Sequence, residues 1–425
     1  MDEEPRLGLR GFFQRLGPGL VTGAADDDPS GIGTHSQVGA QFGYGLSWTF
    51  LFSFPLMVVI QEVAAEIGRV TGRGIATNLR LHYSRTVLRV IVGLLLIANI
   101  VNLGADLSAM GAALRLIIGG NPGLYTLGFG VICVLLETFI SYPRYAAILK
   151  WTTLSLLTYV AVLIVASVPW GRALTSLVVP ELQWNAAYVT AFVAILGTTI
   201  SPYLFFWQAS QEIEEQHRHH AKPLCIAPRD AGPELARIKL DTIVGMAFSS
   251  LISLAIVFAT AATLNANGIT DIQTSSQAAE ALRPIAGDFA FALFALGIIG
   301  TGLLAVPVLA GSAAYAVTEM VGAAGSLNSK LLDARLFYAT IAITTLLGGM
   351  IEFIGIDPAR ALYWAAVVNG VLAAPLMAVM MLIVRNPRAM GRLTLGRRQM
   401  ILGWTATAVM AVASAAFFAF TFGWV

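Results

Sequence analysis

Three consecutive carboxylates, Asp26, Asp27 and Asp28, lie inside an apolar run that extends over residues 16–38. A run of this length crosses a bilayer only as a helix, since about 20 residues at a rise of roughly 1.5 Å span the apolar core. Pro29 follows the carboxylates and removes a backbone donor, and glycines lie on either side. The sequence therefore predicts that the helix breaks here.

A broken helix and carboxylates at membrane depth together indicate a functional site. Irregular backbone is tolerated there only where it faces protein or a watery cavity, and intramembrane carboxylates are costly enough to indicate function. We interpret this stretch as a cation site. In the alternative interpretation, residues 26–30 form a surface loop that caps a helix beginning near Ile32, because Asp and Ser are good N-caps.

The composition indicates a membrane protein. Of the 425 residues, 57% are hydrophobic and 12% are charged, and the mean hydropathy is +0.74. No soluble domain of this length has such a composition, so an all-α protein that crosses the bilayer repeatedly is predicted. The predicted spans, of which the ninth is short, are Leu16–Val38, Leu46–Ile67, Val87–Ile118, Leu124–Phe139, Leu149–Val168, Ala186–Gln211, Leu240–Leu264, Phe289–Val317, Leu336–Gly349, Ala361–Val384 and Met400–Val425.

Basic residues are concentrated in alternate loops between these eleven runs. One side receives 22 of the 26 Lys and Arg residues, and the other side holds Arg115, Arg172, Arg283 and Arg360. The positive-inside rule then predicts a cytoplasmic N-terminus and an extracytoplasmic C-terminus. The same distribution supports the first span, because without it the arginines of residues 1–15 would fall on the wrong side.

The sixth run carries a second predicted break, where Gly197 and Pro202 enclose the hydroxyl residues Thr198, Thr199 and Ser201. The first and sixth runs are five spans apart, and five is odd, so two five-helix repeats would enter the membrane from opposite sides. Many secondary transporters have this inverted-repeat plan, with discontinuous helices that meet at a midplane site. An ordinary proline kink in the sixth run is the alternative.

These patterns divide the chain into segments. We predict a cytoplasmic N-terminus over residues 1–15, a first five-helix repeat over 16–168 and an extracellular linker over 169–185. A second, inverted repeat follows over 186–384. A cytoplasmic loop over 385–399 then leads to an eleventh helix over 400–425.

Other polar residues within the apolar runs give weaker signals. Asn99, Asn102 and Asp106 share one face of the third run. That face either lines a pathway or bonds to neighbouring helices. Glu137 in the fourth run is followed by Arg144, which favours a structural or interfacial pair over a role in transport.

The histidines and the lack of enzyme motifs give further indications. His35 is interpreted as a packing residue whose ring is satisfied by its neighbours. The tract from Glu212 to His220 could collect metal, but a solvated loop is favoured. The sequence contains no Walker loop and no H-E-x-x-H motif, so nothing in it indicates an enzyme. We expect no cofactor besides a transported cation, no nucleic acid and no obligate protein partner.

Several spaced motifs resemble the N-terminal signature of the Nramp divalent-metal transporter family. They are Gly17-Pro18-Gly19-Leu20, Asp28-Pro29, Gln41-Phe42-Gly43-Tyr44 and Val70-Thr71-Gly72-Arg73, and Gly197–Pro202 falls where the family has its second broken helix. The resemblance covers most of the chain and is strongest in residues 1–80. It implies a LeuT-type fold with eleven transmembrane helices, in which two inverted five-helix repeats are followed by an eleventh helix.

The residues at the family's metal site depart from its pattern. The family motif Asp-Pro-Gly-Asn reads Asp28-Pro29-Ser30-Gly31 here, so the Asp ligand remains and the Asn ligand is lost. In the sixth helix, Ser201-Pro202-Tyr203 replaces Met-Pro-His. Thr198 stands where the family has an Ala whose carbonyl can bind metal.

Two further departures affect residues around that site. The family's acidic pair in the third helix is reduced to Asp106, with Ala109 at the partner position. The Gln of the tenth helix has no clear counterpart, and Asn369 is the nearest amide.

The departures favour harder cations. A methionine thioether is a soft ligand that favours manganese, iron or cadmium, whereas Ser201 and Gly31 leave oxygen ligands and more room. Magnesium takes oxygen ligands in octahedral geometry and keeps several waters. The wording Asp-Pro-Ser-Gly and Thr-Ile-Ser-Pro-Tyr resembles the Nramp-related magnesium transporter branch.

The same substitutions remove the histidine and the glutamate that the resemblance implies as proton carriers. A divalent cation gains about 4.6 kcal/mol from an interior-negative potential of about 100 mV, because each charge gains about 2.3 kcal/mol. This corresponds to more than roughly three decades of concentration. Uptake without proton coupling is therefore thermodynamically adequate.

The sequence thus predicts a magnesium uptake transporter of the plasma (inner) membrane that works by alternating access, with manganese as a further substrate. Asp28 supplies the principal charge of the metal site, which also includes the Ser201 hydroxyl, the Thr198 carbonyl and the space left by Gly31. Roles in the pathway or in gating are assigned to Asp26, Asp27, Pro29, Pro202, Tyr203, Asp106 and Asn369.

Three alternatives remain open. A proton-coupled manganese or iron transporter would use Asp106 or Tyr203 as its proton route. A LeuT-fold amino-acid or amine transporter would bind an organic ammonium group through Asp28. A metal-sensing receptor would use the histidine-rich tract and would leave the paired broken helices without a role.

Overall fold

The structure, a computed structural model, describes residues 18–140 and 156–423 of the chain. Its regular elements are helices, joined in places by short 3-10 turns. They are α1 (Pro18–Asp26), α2 (Pro29–Phe42), α3 (Trp48–Thr71), α4 (Ile75–His82), α5 (Arg85–Ile118), α6 (Pro122–Phe139), α7 (Leu157–Val165), α8 (Trp170–Val178), α9 (Ala186–Thr199), α10 (Pro202–Arg218), α11 (Ala231–Thr263), α12 (Ser275–Ala279), α13 (Arg283–Ala286), α14 (Ala290–Val321), α15 (Arg335–Gly349), α16 (Pro358–Arg385), α17 (Pro387–Met390) and α18 (Arg397–Thr421).

Helices occupy all eleven predicted apolar runs. Nine helical stretches of the described residues are long and apolar enough to cross a membrane. The other two runs are the first, which is divided between α1 and α2, and the fifth, of which α7 is the described part. The predicted cytoplasmic N-terminus over residues 1–15, and Arg144, lie outside the described residues. The predicted linker over residues 169–185 contains the short helix α8.

The first break is buried and separates two helices. α1 ends at Asp26 and α2 begins at Pro29. Proline fits the first position of a helix, because an N–H there would have no helical partner anyway. Asp28 has extended backbone (φ −71°, ψ 169°), and its carboxylate caps α2 by accepting from the N–H of Gly31. Asp26, Asp27 and Asp28 are only 5%, 3% and 2% exposed. The capping part of the surface-loop alternative is therefore correct, but its exposed location is wrong.

The second break also separates two helices, so the sixth run is more than a kinked helix. α9 ends at Thr199 and α10 begins at Pro202, which again occupies the first helical position. Ser201 has extended backbone (φ −80°, ψ 124°) between them. Its hydroxyl donates to the carbonyls of Gly197 and Thr198. Because the last carbonyls of α9 have no helical partner, these bonds satisfy part of the open helix end.

The packing of the helices brings the two breaks together. α1, in the first span, packs against α11 in the seventh, and α10, in the sixth span, packs against α3 in the second. A shift of five spans relates these two contacts, as an inverted repeat predicts. Across the breaks, the hydroxyl of Tyr203 on α10 donates to the carboxylate of Asp28. The irregular backbone is thereby enclosed by protein, which membrane depth requires.

Candidate cation site between the two helix breaks

Asp28 lies at the centre of the first break and accepts hydrogen bonds from three elements. Its Oδ1 accepts from the backbone N–H of Gly31 at 2.6 Å. Its Oδ2 accepts from Nδ2 of Asn102 on α5 at 3.1 Å and from the Tyr203 hydroxyl at 3.0 Å. All three donors are neutral, so they orient the carboxylate without cancelling its charge. A buried negative charge that no positive group cancels favours the binding of a cation beside it.

The backbone of Gly31 borders a space that is lined by oxygen atoms. A Cβ atom on Gly31 would lie 3.2 Å from Oγ1 of Thr198, 3.3 Å from the carbonyl oxygen of Asp26 and 3.4 Å from Oδ1 of Asp28. We call the space bounded by these three oxygens the oxygen hollow. Each carboxylate oxygen has two lone pairs, and Oδ1 of Asp28 uses one of them on Gly31. The hollow has the donor chemistry that hard cations prefer, with oxygens from both breaks.

The two predicted ligands at the second break, Thr198 and Ser201, direct their hydroxyl groups to different places. The hydroxyl of Thr198 faces the oxygen hollow. Its carbonyl, which was the predicted ligand atom, accepts from the Ser201 hydroxyl at 2.9 Å. Ser201 also donates to the carbonyl of Gly197 at 3.0 Å. In this conformation, therefore, Ser201 stabilises the end of α9. Oγ1 of Thr198 is the oxygen nearest to the position that a Cβ on Gly31 would occupy.

Amide and carboxylate side chains of α5 and α16 are linked to the first break by hydrogen bonds. Nδ2 of Asn369 lies 3.4 Å from Oδ1 of Asn102, whose own amide donates to Asp28. Asp106 accepts from the backbone N–H of Ser30 at 3.1 Å. Its other oxygen accepts no hydrogen bond from the described residues. The structure thus brings the predicted residues Asp106 and Asn369 close to Asp28, each through one intervening residue or element.

The side chains of Asp26 and Asp27 point to a different helix from that of Asp28. The hydroxyl of Ser249 on α11 lies 2.6 Å from Oδ2 of Asp26 and 3.2 Å from Oδ1 of Asp27. Among the described residues, Oδ1 of Asp26 and Oδ2 of Asp27 have no hydrogen-bond partner. Nothing in the sequence distinguishes Ser249, because it is one hydroxyl among the many in the apolar runs.

A large cavity reaches toward the first break from the side of the molecule that carries few basic residues. Its volume is about 670 Å³, and we call it the vestibule. It is lined by residues of α2, α9, α14 and α16, among them Gln37, Gln41, Thr190, Phe294 and Tyr363. Gly33 and Leu362 also line it and lie nearest to the break.

Leu362 separates the vestibule from the site. Its carbonyl accepts from the Ser30 hydroxyl at 3.0 Å. A Cβ atom on Gly33 would lie 2.8 Å from Cδ1 of Leu362, so the leucine side chain packs directly on the backbone of α2. Leu362 is 4% exposed. Leu362 therefore lies between the vestibule and the backbone of the first break. One leucine among many in the apolar runs cannot be singled out from the sequence.

The side of the molecule that carries most basic residues is closed by packing and ion pairs. Three links join other helices to α11: the Gly19 N–H to Oδ2 of Asp241 (2.6 Å), Arg237 to Glu212 (2.6 Å) and Arg69 to Glu234 (3.1 Å). They tie α1, α10 and α3 to one helix. The sequence does not indicate these links, because acids and bases near helix ends resemble ordinary solvated residues.

Two further buried polar residues are His35, which lies one turn after Gly31 on α2, and Asn99 on α5. The ring of His35 packs against Phe50 at a centroid distance of 5.3 Å. Neither of its nitrogens has a hydrogen-bond partner among the described residues, so the predicted packing is present and the predicted satisfaction is not. Asn99 donates to the carbonyl of Leu309 and to Ser312 on α14, which is a contact between helices.

The acidic and histidine-rich tract is the end of α10 and the turn after it. Glu215 pairs with Arg218 at 2.8 Å and with His219 at 2.9 Å. Both partners are exposed. In the described part of the chain, no three His, Cys, Asp or Glu side chains gather as a metal site.

These features define a class of membrane protein. Paired broken helices that enclose a carboxylate at membrane depth, with a cavity on one side and packed helices on the other, are typical of secondary transporters. The family model described as natural resistance-associated macrophage protein-like (Nramp) matches residues 19–420. The chain therefore belongs to the Nramp family, as predicted.

Relatives over the whole length agree with this assignment. A divalent metal cation transporter MntH of Klebsiella pneumoniae (strain 342) is 26% identical over 404 residues, which cover 93% of this chain and 91% of the relative. A protein of the same name from Burkholderia ambifaria is 26% identical over 420 residues, which cover 96% and 89%.

Solved structures confirm the fold class. A crystal structure of the Eremococcus coleocola manganese transporter, in complex with an aromatic bis-isothiourea substituted compound, superposes with a TM-score of 0.78 at 14% identity, covering 99% of this chain and 90% of that one. Mhp1, a nucleobase-cation-symport-1 family transporter, superposes in a closed conformation with a TM-score of 0.57 at 14% identity, covering 96% and 93%. The predicted LeuT-type helical membrane fold is thereby confirmed.

Proposed function

We propose that this protein is a secondary transporter that takes up divalent metal cations, with Mg²⁺ as the principal substrate and Mn²⁺ as a second one. Transport proceeds by alternating access and without proton coupling. The observation that carries the proposal is the oxygen hollow over Gly31, where atoms of Thr198, Asp26 and Asp28 converge on a space without a side chain.

The charge and size of the site support a divalent cation. Asp28 is a buried carboxylate with neutral donors, and its Oδ1 borders the hollow. The relatives in Klebsiella and Burkholderia are named divalent metal cation transporters. A divalent cation at Asp28 would gain roughly twice the Coulomb energy of a monovalent one. An organic ammonium group would instead have to place its alkyl part among the polar oxygens.

The donor set supports magnesium over softer metals. The three atoms nearest to the hollow are oxygens, and Ser201 stands at the position where the family resemblance implies a methionine. Mg²⁺ keeps part of its hydration shell when it binds. Because Gly31 has no side chain, nothing covers the three oxygens, whereas the family's Asn would. A Cβ there would already lie only 3.2–3.4 Å from them, so we propose that the two breaks move apart to admit the cation with its waters. Manganese accepts oxygen ligands too and remains a substrate in this proposal.

The packing supports an access route that alternates between two sides. In this conformation the vestibule leads to Leu362, and the opposite side is closed by the links to α11. We propose that displacement of Leu362 admits the cation and that separation of α1 and α10 from α11 releases it. Pro29 and Pro202, at the first positions of α2 and α10, keep the two helix ends open at the site.

The orientation follows from the distribution of basic residues. We propose that the protein lies in the plasma (inner) membrane, with the N-terminus in the cytoplasm, the C-terminus outside and the vestibule facing outward. Uptake is then driven by the interior-negative potential. We propose that the two five-helix repeats extend over residues 16–168 and 186–384.

One observation favours a second candidate, in which metal uptake is coupled to protons. Asp106 has an oxygen without a partner among the described residues and lies beside the first break. Tyr203 donates both to Asp28 and to the carbonyl of Ala25, so it links the site to α1. In that case Asp106 or Tyr203 would carry the proton.

Transport by purified protein in liposomes distinguishes these functions. The liposomes contain a magnesium-sensitive dye and a reporter of internal pH, and a potassium gradient with valinomycin sets an inside-negative potential. Mg²⁺, Mn²⁺ and Ca²⁺ are added separately. We expect Mg²⁺ entry that depends on the potential and leaves internal pH unchanged, and the Asp28→Asn variant should remain at the level of empty liposomes.

Other outcomes would contradict the proposal. Manganese entry with acidification, and no magnesium entry, would identify the proton-coupled alternative. Uptake that is inhibited by an amine and indifferent to divalent cations would identify an amine or amino-acid transporter. Metal binding without flux in any condition would identify the receptor alternative.

A further inference from the structure

Asp26 and Asp27 form a second group of carboxylates that the site at Asp28 does not use. Both are buried, and both approach the same hydroxyl of Ser249 on α11. A hydroxyl has one proton to donate. Its single proton is therefore shared between the two carboxylates, and Ser253 is the other hydroxyl that approaches Asp27.

The remaining oxygens of the two carboxylates are without partners. Oδ1 of Asp26 and Oδ2 of Asp27 are buried and accept no hydrogen bond from the described residues. A buried carboxylate oxygen without a donor is costly, and the cost grows when a second carboxylate lies beside it. Such an arrangement is stable when a cation lies between the acidic groups.

The surrounding helices offer no basic residue that could fill this role. α1 and α2 contain no Lys or Arg. On α11 the nearest is Lys239, ten residues before Ser249, which places it about 15 Å along the helix axis. Ser253 lies one turn after Ser249 on the same face of α11 and is also buried. It adds a second hydroxyl oxygen to the group.

Close contact between the two helices holds these groups together. A Cβ atom on Gly23 would overlap the backbone of Gly245, so α1 and α11 touch without intervening side chains. This approach brings the end of α1 within hydrogen-bond distance of Ser249. Asp26 also connects the two sites, because its carbonyl borders the oxygen hollow while its carboxylate faces Ser249.

We propose that Asp26, Asp27 and Ser249, with Ser253, form a second binding site for a divalent cation, next to the site at Asp28 and between α1 and α11. The inference rests on the proposed function in that the cation is the transported divalent metal. Two carboxylates and two hydroxyls supply hard oxygen ligands and a charge of −2. Because the site joins α1 to α11, its cation is released when these helices separate on the basic side.

Counting bound metal tests the proposal. Full-length protein is purified in detergent, checked for monodispersity by size exclusion, and dialysed to equilibrium against Mn²⁺, which serves as the probe because its binding does not depend on a preference for magnesium. We expect two Mn²⁺ ions per chain. Two bound cations repel each other, so we expect them to differ in affinity.

Matched variants assign each ion to a site. Asp28→Asn should bind one Mn²⁺, and the double variant Asp26→Asn with Asp27→Asn should also bind one. Ser249→Ala should weaken one of the two ions several-fold, whereas Ser250→Ala changes a half-buried neighbour on α11 and should leave both ions in place. The serine pair keeps the test decisive if the double aspartate variant does not fold.

The outcomes separate the two proposals. One Mn²⁺ per chain that is lost in Asp28→Asn would overturn the second site and leave the proposed function intact. Two ions that persist in the double aspartate variant and in Ser249→Ala would overturn the assignment to these residues. Wild-type protein that binds no divalent cation would overturn both proposals.

Discussion

At the first break, the carboxylate of Asp28 accepts from Gly31, from Asn102 on α5 and from Tyr203 on α10. At the second break, the hydroxyl of Ser201 donates to the two carbonyls that end α9. One break is therefore held by partners from three parts of the molecule, and the other satisfies its own helix end. The comparison assigns charge to the first break and backbone geometry to the second.

This difference predicts different sensitivities. Groups at the first break interact through charge, which a neutral replacement cannot supply, so we expect large losses of transport there. Groups at the second break contribute neutral hydrogen bonds, each worth about 1 kcal/mol, so we expect small losses there. We therefore expect losses of transport to decrease from the first break to the second.

The largest effect is expected for Asp28→Asn, which keeps the size of the side chain and removes its charge. Unit charges about 4 Å apart at an effective dielectric constant of about 20 attract each other by about 4 kcal/mol, and a divalent cation doubles this. We expect Mg²⁺ uptake into liposomes to fall to background. Asp333→Asn, which changes an exposed acid on the basic side, serves as the control and should transport normally. Normal uptake by Asp28→Asn would show that the charge of the first break is not used.

The second prediction concerns the space at Gly31. In Gly31→Asn the new side chain would enter the oxygen hollow, because even its Cβ would lie 3.2–3.4 Å from three oxygens. We expect Mg²⁺ uptake to fall about tenfold, which is about 1.4 kcal/mol, while Mn²⁺ uptake falls less, because an amide oxygen replaces a hydration water. The measurement is the ratio of Mg²⁺ to Mn²⁺ initial rates.

A matched control separates the hollow from a general effect on helices. Gly93→Ala adds a Cβ on α5 where nothing lies within 4 Å, and it should leave the ratio unchanged. If Gly31→Asn lowers both rates equally, the hollow does not discriminate between the two metals.

The comparison also separates what the sequence could predict from what it could not. Both breaks were predicted, because Pro29 and Pro202 lack the N–H that a continuous helix needs. The eleven runs were predicted because hydropathy and charge indicate which segments cross a bilayer. The likeness of the two halves was predicted from the spacing of the two breaks, which are five runs apart. These properties are local, and the sequence contains them directly.

The directions of the side chains at the breaks could not be predicted. Asp26, Asp27 and Asp28 are consecutive, and outside a helix no period tells which of them faces α5 and which faces α11. The backbone angles of the break and the packing of distant helices decide this. Thr198 illustrates the same limit, because its hydroxyl, and not the predicted carbonyl, borders the hollow. Leu362 and Ser249 acquire their roles only from residues more than a hundred positions away in the chain.

A smaller effect is expected for Tyr203→Phe, which removes one donor to Asp28 and to the Ala25 carbonyl without changing the ring. Hydrogen bonds to a charged group contribute about 1.5–3 kcal/mol, and other donors to Asp28 remain. We expect the KM for Mg²⁺ to rise roughly three- to tenfold, which is about 0.7–1.4 kcal/mol and falls below this range because the remaining donors still orient Asp28. Tyr338→Phe, which removes a bond to the Ser329 carbonyl, is the control and should keep the KM.

The smallest effect is expected for Ser201→Ala at the second break. The hydroxyl bonds to two carbonyls of α9, and its loss leaves these backbone groups less satisfied at a cost of about 1 kcal/mol. We expect Mg²⁺ uptake to fall about two- to fivefold. Ser176→Ala on α8 removes a buried hydroxyl that bonds in the same way to a carbonyl of its own helix, that of Ala173, outside the broken helices, and should leave uptake unchanged. A loss as large as that of Asp28→Asn would show that Ser201 turns toward the cation during transport, so that both breaks supply ligands and the division into charge and geometry is wrong.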